Sequence, residues 1–145
     1  MANEHTILMQ KTLPVSMTVA NGTGIEKGAL LKMTDPNTAI IHSALNNIIC
    51  GVAYTEKIAN DGMTQIAVLS GPGDELKATA SGSITVGDPL MAAHGDFVNR
   101  LYSVKNLSNI ETSGGTIVGY SKETASTGET FKYVLDMSAG PGDNI

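Results

Sequence analysis

Short apolar segments separated by turn residues make up the middle of the chain. The segments "ALLKM", "TAIIHSA" and "IICGVAY" begin at Ala29, Thr38 and Ile48, with "TDPN" and "ALNN" between them. From Met63, "MTQIAVLS" alternates between polar and apolar side chains. Apolar and β-branched runs of this length, bounded by Asp, Asn and Pro, predict short β-strands joined by tight turns.

Helical periodicity is nearly absent from the sequence. No capping box leads into a sustained helical period, and only Leu101, Val104 and Leu107 recur every three residues. They lie in the stretch from Arg100 to Gly115, which we interpret as one short helix or a long loop. The remaining pattern of short strands and frequent turns predicts an all-β fold, either a barrel or a sandwich.

Part of the pattern occurs twice. The segment "IICGVAYTEKIANDGMTQIAVL" from Ile48 is echoed by "TIVGYSKETASTGETFKYVLD" from Thr116. The two segments share aligned glycines. Gly51 and Gly119 lie 68 residues apart, and Gly62 and Gly128 lie 66 residues apart. Val68 with Val134 and Leu69 with Leu135 share the second spacing, so we expect these strands to be equivalent, after a connection that is two residues shorter.

A second pair of segments precedes the first. "KGALLKMTDPNTAII" begins at Lys27 and "VGDPLMAAHGDFVNR" at Val86, and each contains a turn-rich break. Two copies of a repeat are too few to form a solenoid. The sequence therefore predicts a small pseudo-symmetric β-barrel or sandwich of two related halves, at about residues 27–69 and 86–137.

Residues 1–24 fall outside this repeat. Val15, Met17 and Val19 alternate with polar residues before a Gly-containing break. We interpret residues 1–24 as an extended N-terminal arm that ends in a strand, and residues 25–145 as a single β domain. Two arrangements are open: the arm adds a strand to a neighbouring molecule, or it forms the first strand of its own barrel.

Composition and charge restrict the classes of molecule that the protein is expected to bind. The 145 residues carry 9 basic and 14 acidic side chains, for a net charge of -5. The basic residues are scattered along the sequence, so we expect no direct contact with nucleic acid or with an anionic membrane. No apolar run reaches the roughly 20 residues that span a bilayer, and no leader pattern is present, which favours synthesis in a cytoplasm.

Residues that could carry chemistry are few and dispersed. His5, His42 and His94 lie far apart in sequence, and none has a metal-ligand spacing to another or to Cys50. Cys50 lies in an apolar strand with no basic neighbour to activate it, so we interpret it as a small buried side chain. We expect no metal, no cofactor and no catalytic site.

The Gly-rich segments also give no phosphate site. "SGPGDE" at Ser70 and "AGPGDN" at Ala139 lack the Gly-Lys-Ser/Thr sequence of a P-loop, so turns are the better interpretation. The acidic residues lie mostly in turns, where their carboxylates bond to nearby backbone. The sequence therefore disfavours an enzyme and favours a compact binding or structural module.

The order of the repeated motifs resembles a known family. "GTGIEKGALLKM", "IICGVAYTEKIANDGMTQIAVLSGPG", "ITVGDPLMAAHGDFV" and "TIVGYSKETASTGETFKYVLDM" occur in this order. The sequence is similar to the capsid decoration, or cement, proteins of tailed bacteriophages, over about Thr23 to Met137. The stretch from Arg100 to Gly115 departs from the family pattern as an insert.

This resemblance implies a structural role on a virion. It implies a protein on the exterior of an expanded icosahedral head, made in the host cytoplasm, that binds the major capsid protein as a homotrimer and stabilises the shell against internal DNA pressure. Contacts with the capsid are expected from the arm and the insert, which lie outside the repeat. The candidate contact residues are Leu8, Leu13, Val15, Met17, Arg100 and Tyr102.

A carbohydrate- or surface-binding β module, of the fibre or adhesin type, is the alternative. Such modules present exposed aromatic rings that stack on sugars. Only four Tyr and two Phe are available. Phe131 and Tyr133 lie on one predicted strand, and we expect at most one of them to face the core.

Overall fold

The computed structural model describes residues 3–43, 48–93, 99–106 and 117–137. Within these ranges the chain forms β-strands and one 3-10 helix, so the all-β prediction is confirmed. None of the described helical residues forms a segment with the length and apolar character needed to cross a membrane. The strands are β1 (Thr6–Met9), β2 (Val15–Thr18), β3 (Leu30–Asp35), β4 (Thr38–Ile41), β5 (Ile49–Ala53), β6 (Gln65–Leu69), β7 (Asp74–Thr79), β8 (Pro89–Ala92), β9 (Leu101–Ser103), β10 (Ile117–Ser121) and β11 (Thr130–Leu135), and the 3-10 helix is Val104–Asn106.

The strands form two sheets, one built from β2–β6 and the other from β7–β11 together with β1. Strands β2-β4-β3-β5-β6 form a closed barrel. The second sheet has the order β1-β7-β11-β10-β8-β9. The barrel is closed by β2, which pairs antiparallel with β6 and parallel with β4. A single parallel bridge between Ala80 and Leu101 takes the corresponding place in the second half.

The backbone hydrogen bonds repeat between the halves. The amide of Gly28 donates to the carbonyl of Ala53 at 2.8 Å, and the amide of Gly87 donates to the carbonyl of Ser121 at 2.8 Å. Ahead of these bonds, the isolated bridge from Ile25 to Lys57 has its counterpart from Ile84 to Ala125. These turns and entry strands therefore match at the spacings that the sequence repeat indicates.

The return strands are equivalent at a different spacing from the expected one. Val52 pairs with Leu69 in the first half, whereas Tyr120, the equivalent of Val52, pairs with Val134 in the second. Leu69 therefore corresponds to Val134, and the expected match of Leu69 with Leu135 is wrong by one residue. The connection before β11 absorbs the difference, and the shift places each side chain of β11 on the opposite face from the one that the sequence match predicts.

This shift explains the burial of two aromatic rings. Phe131 and Tyr133 are both fully buried. They correspond to Ile66 and Val68, which lie in the core of the first barrel. The expectation that only one ring faces the core is wrong, because residues two apart on a strand point to the same side.

The core consists of two clusters. One fills the first barrel and includes Met17, Ile66 and Val68. The other fills the second half but also contains Leu30, Val52 and Leu69 among its members from the first barrel. The outer face of the first barrel thus packs against the second half, and one apolar cluster joins the two halves.

The N-terminal residues pair within their own chain. Strand β1 pairs antiparallel with β7 of the second sheet, and β2 is a strand of the first barrel. Of the two arrangements left open by the sequence, the described structure therefore has the second, with these residues built into the chain's own sheets. In the expected insert, residues 101–106 form β9 and the 3-10 helix, and residues 107–115 lie outside the described residues.

Gly119 provides a test of the strand pairing. Its φ is 156°, and a Cβ there would collide with the carbonyl of Val134. Gly119→Ala should lower the free energy of unfolding by about 3 kcal/mol or more, since backbone in a paired strand must shift. Gly128→Ala is the matched control, because φ is 86° there but no atom lies within 4 Å of an added Cβ. It should cost only about 1 to 2 kcal/mol, and equal losses in urea unfolding would contradict the assigned close approach.

Candidate functional site

The predicted contact residues differ in exposure. Leu8, Leu13 and Val15 are exposed in the N-terminal segment. Met17 is only 3% exposed and lies in the core of the first barrel, where it pairs with Ile66. Met17 is therefore not available for an intermolecular contact. The alternation of Val15, Met17 and Val19 with polar residues belongs to a barrel strand, β2, in which Met17 faces the core.

The other two predicted residues lie elsewhere. Arg100 and Tyr102 are half-buried next to and within β9. The Tyr102 hydroxyl donates to the carbonyl of Asn106 at 3.1 Å, which ties the ring to the 3-10 helix. Arg100 and Tyr102 lie at the β9 end of the strand order of the second sheet, whereas Leu8 lies on β1 at the other end of that order.

The N-terminal segment carries four exposed large apolar side chains within eight residues. We call residues 8–15, which include the end of β1 and the start of β2, the apolar bend. Leu13 is 86% exposed, and Leu8, Met9 and Val15 are each about half exposed. Met9 was missed by the sequence analysis, although it follows Leu8 directly. Large apolar side chains gathered on one exposed segment are typical of an interaction surface.

A buried carboxylate fixes the apolar bend. Asp74 is fully buried at the start of β7. Its Oδ1 accepts hydrogen bonds from the amides of Lys11 and Thr12, the latter at 2.9 Å, and its Oδ2 accepts one from the Thr12 hydroxyl. The Tyr54 hydroxyl donates to Oε1 of Gln10 at 2.8 Å from the first half. The bend is therefore held from both halves of the molecule.

A buried histidine fixes the chain just before β1. Nε2 of His5 contacts the carbonyl oxygen of Asn99 at 2.8 Å, and Nδ1 contacts the Tyr133 hydroxyl. Since a carbonyl only accepts, Nε2 carries the proton and Nδ1 accepts from Tyr133. The His5 amide also donates to the carbonyl of Gly28 at 2.8 Å. His5 therefore connects the N-terminal segment to both halves.

Burial controls the ionisation of this pair. His5 is fully enclosed, which lowers its pKa to about 4 although the Asn99 carbonyl favours the charged ring. Burial also raises the pKa of Tyr133 well above its usual value. Both groups are therefore neutral near pH 7, and the hydrogen bond between them is a bond between uncharged groups.

A shallow cleft on the first half is a second candidate. It has a volume of about 380 Å³ and is lined by residues 24–26 and 56–59. Lys57 lies under it with its side chain fully buried. Its ammonium donates to the carbonyls of Asn21 and Ile58 at 2.8 and 3.0 Å and to Asp61 Oδ1 at 3.1 Å. These three acceptors match its three protons, so Lys57 holds the turn together and is not aimed at a ligand.

The remaining candidate groups are occupied in the fold. His42 is fully buried and its Nε2 contacts the carbonyl of Ala93. Burial raises the pKa of the Cys50 thiol to about 11, which opposes formation of the nucleophilic thiolate. Within the described ranges, no group of three His, Cys, Asp or Glu side chains is arranged to hold a metal ion. His94 lies outside the described residues.

Comparisons with known proteins give a family match and a similar solved structure. The model of the phage cement protein family matches residues 9–135. The solved structure of the head fiber gp8.5 N base in bacteriophage phi29 is similar with a TM-score of 0.52 at 22% identity, over 86% of this chain and 95% of that one. At that identity the similarity shows a shared fold. A search of curated proteins finds no match.

His5 makes the stability of the fold depend on pH. In the unfolded chain the imidazole takes up a proton below pH 6.5, whereas in the folded chain it stays neutral down to about pH 4. Stability from this group is therefore present above pH 6.5 and is lost as the pH falls toward 4. The loss should reach about 3 kcal/mol, at about 1.4 kcal/mol per pH unit.

The comparison of wild type with His5→Gln isolates this contribution. Urea unfolding of both proteins between neutral pH and about pH 4.5 measures it. His5→Gln should be less stable at neutral pH because the bond to Tyr133 changes, but its stability should fall less on acidification. An equal fall in both proteins would show that other groups account for the pH dependence.

Proposed function

Because the chain belongs to the phage cement protein family, whose model matches residues 9–135, we propose that it binds the outside of an expanded icosahedral phage head and stabilises it. Membership makes the protein a capsid-associated structural protein and a virion component. The partner in this proposal is the major capsid protein. Stabilisation consists of links between neighbouring capsid subunits that resist the outward pressure of packaged DNA.

The apolar bend is the observation that supports this proposal most directly. It combines strong exposure of Leu13 with backbone held by the buried Asp74. A surface held in one conformation loses little entropy when it binds. Burial of one Leu side chain supplies about 1.5 to 3 kcal/mol, which is enough for a contact that is repeated over a shell.

Trimerisation would multiply such contacts. In the proposal the protein acts as a homotrimer, so that three copies of the apolar bend meet adjacent capsid subunits at once. The second and third contacts then form at a high effective concentration, and weak single contacts give lasting attachment. The proposal also assigns the protein to the capsid exterior after synthesis in the host cytoplasm.

The proposed role requires no catalysis. Among the described residues, Cys50 has a raised pKa and His5 a lowered one, so neither is poised as a nucleophile or base near pH 7. A carbohydrate-binding module is disfavoured by the aromatic residues, since Phe131 and Tyr133 are buried. Tyr120, at 46% exposure, is the tyrosine that protrudes most among those described, and one ring gives a poor stacking platform.

Leu13→Ser tests the proposal. Deleting residues 1–24 would remove β2 and open the barrel, so a point substitution is the better test. Binding to expanded, undecorated heads by co-sedimentation should weaken at least about tenfold, since one buried Leu is lost from each copy. Ile58→Ser, at a side chain that is 65% exposed beside the cleft, is the matched control and should bind as wild type does.

The outcomes distinguish failure of the apolar bend as the contact surface from failure of the proposed function. Wild-type protein should co-sediment with a saturable stoichiometry, and light scattering of the free protein gives its oligomeric state. Equal binding by the Leu13 and Ile58 variants would reject the apolar bend as the contact. No binding of wild type to the heads of the phage that encodes it would reject the proposed function.

A further inference from the structure

Folding gathers lysines that are scattered in the sequence. Lys77 on β7 lies directly opposite Lys132 on β11. The amide of Lys122 donates to the carbonyl of Lys132, which places Lys122 beside Lys132 at the end of β10. All three side chains are exposed on the second sheet. We call Lys77, Lys122 and Lys132 the lysine face, which the scatter of basic residues along the sequence does not show.

The positive charge of this face is only partly neutralised. Lys122 Nζ lies 2.9 Å from Glu75 Oε2. The bond from Lys122 lowers the pKa of Glu75, and the nearby charges of Lys132 and Lys11 lower it further. Among the described residues, no carboxylate forms an ion pair with Lys77 or Lys132. Like charges directly opposite each other in a sheet are destabilising, so this pair costs stability in the free protein.

We propose that the lysine face docks on a carboxylate-rich patch of the capsid surface; this inference rests on the proposed function and adds the face and the chemistry of its partner. A chain with net charge -5 is repelled as a whole by an acidic surface. A local basic face then decides which side approaches, because complementary charge steers association. The acidic partner also relieves the repulsion between Lys77 and Lys132.

The surroundings of the face favour a protein partner over nucleic acid. Two carboxylates lie beside these lysines: Glu75 pairs with Lys122, and Glu123 Oε1 accepts a hydrogen bond from the Lys132 amide at 2.8 Å. These carboxylates would repel a continuous line of phosphates, whereas a protein surface can place a cation opposite them.

Exposed apolar side chains lie at both ends of the row of residues next to the lysine face. The row beside it runs from Met9 on β1 through Glu75 and Val134 to Tyr120 on β10. Tyr120 is 46% exposed, and Met9 belongs to the apolar bend. Charged and apolar contacts adjoin on one side of the second sheet, as in interfaces that combine a buried centre with a polar rim.

The double variant Lys77→Gln/Lys132→Gln tests the lysine face. Binding of the full chain to expanded heads should weaken at least about tenfold at low salt, and the affinity should depend less on NaCl between about 50 and 300 mM than that of wild type. The control, Lys27→Gln/Lys32→Gln, removes the same charge from the first half and should bind as wild type does. Because the variant also relieves a like-charge pair, it should unfold at no lower urea concentration than wild type.

Soluble polyanions identify the chemistry of the partner. Poly-glutamate should compete with the heads for wild type but not for the double variant at low salt. Better competition by duplex DNA at equal charge would overturn the assignment to a carboxylate surface. Binding that is independent of salt, or equal in wild type and the double variant, would overturn the lysine face while leaving the proposed function intact. Failure of wild type to bind any expanded head would overturn both.

Discussion

The contact between the two halves is the constraint on which the rest of the molecule depends. Leu30, Val52 and Leu69 lie on the outside of the first barrel, yet they belong to the core of the second half. Polar bonds cross the same boundary: the amide of Leu30 donates to Oδ1 of Asn99 at 3.0 Å, and His42 bonds to the carbonyl of Ala93. Each half thus completes the burial of the other at their junction.

This junction also explains why the two halves are not identical. Among the described residues, β9 is joined to the end of β7 by the bridge between Ala80 and Leu101, and packing of the first barrel completes the core of the second half. Ala29 in the first half and Asp88 in the second occupy equivalent positions of the repeated turn. Asp88 accepts hydrogen bonds from the Thr85 amide at 3.0 Å and the Ser103 hydroxyl at 2.7 Å. The repeat therefore preserves backbone bonds while the side chains that support them change, which makes it weak at the level of sequence.

The parts predicted from the sequence are those set by local chemistry. Alternation, turn residues and paired glycines gave the strands, because each depends on neighbours along the chain. The offset of β11 by one residue did not follow, since glycine spacing cannot show where a connection absorbs a residue. The alternation of Val15, Met17 and Val19 indicates a strand, but the burial of Met17 depends on pairing of that strand with β6. The gathering of Lys77 with Lys132 also depends on pairing between distant segments, and no local signal in the sequence shows it. In the sequence, nothing distinguishes His5 from an exposed polar residue, because its partners Tyr133 and Asn99 are brought to it only by the fold.

The anchoring of the N-terminal segment bears directly on how a cement protein can bind. A free arm must be ordered on binding, at a cost of about 1 to 2 kcal/mol for each residue fixed. Here that cost is met during folding, because Asp74 holds the amides of Lys11 and Thr12 and His5 bonds to both halves. The apolar bend is therefore presented in one conformation before any partner arrives. A small exposed surface of this kind can contribute most of its burial energy to attachment, and this is the condition under which several modest contacts suffice to hold a protein on a shell.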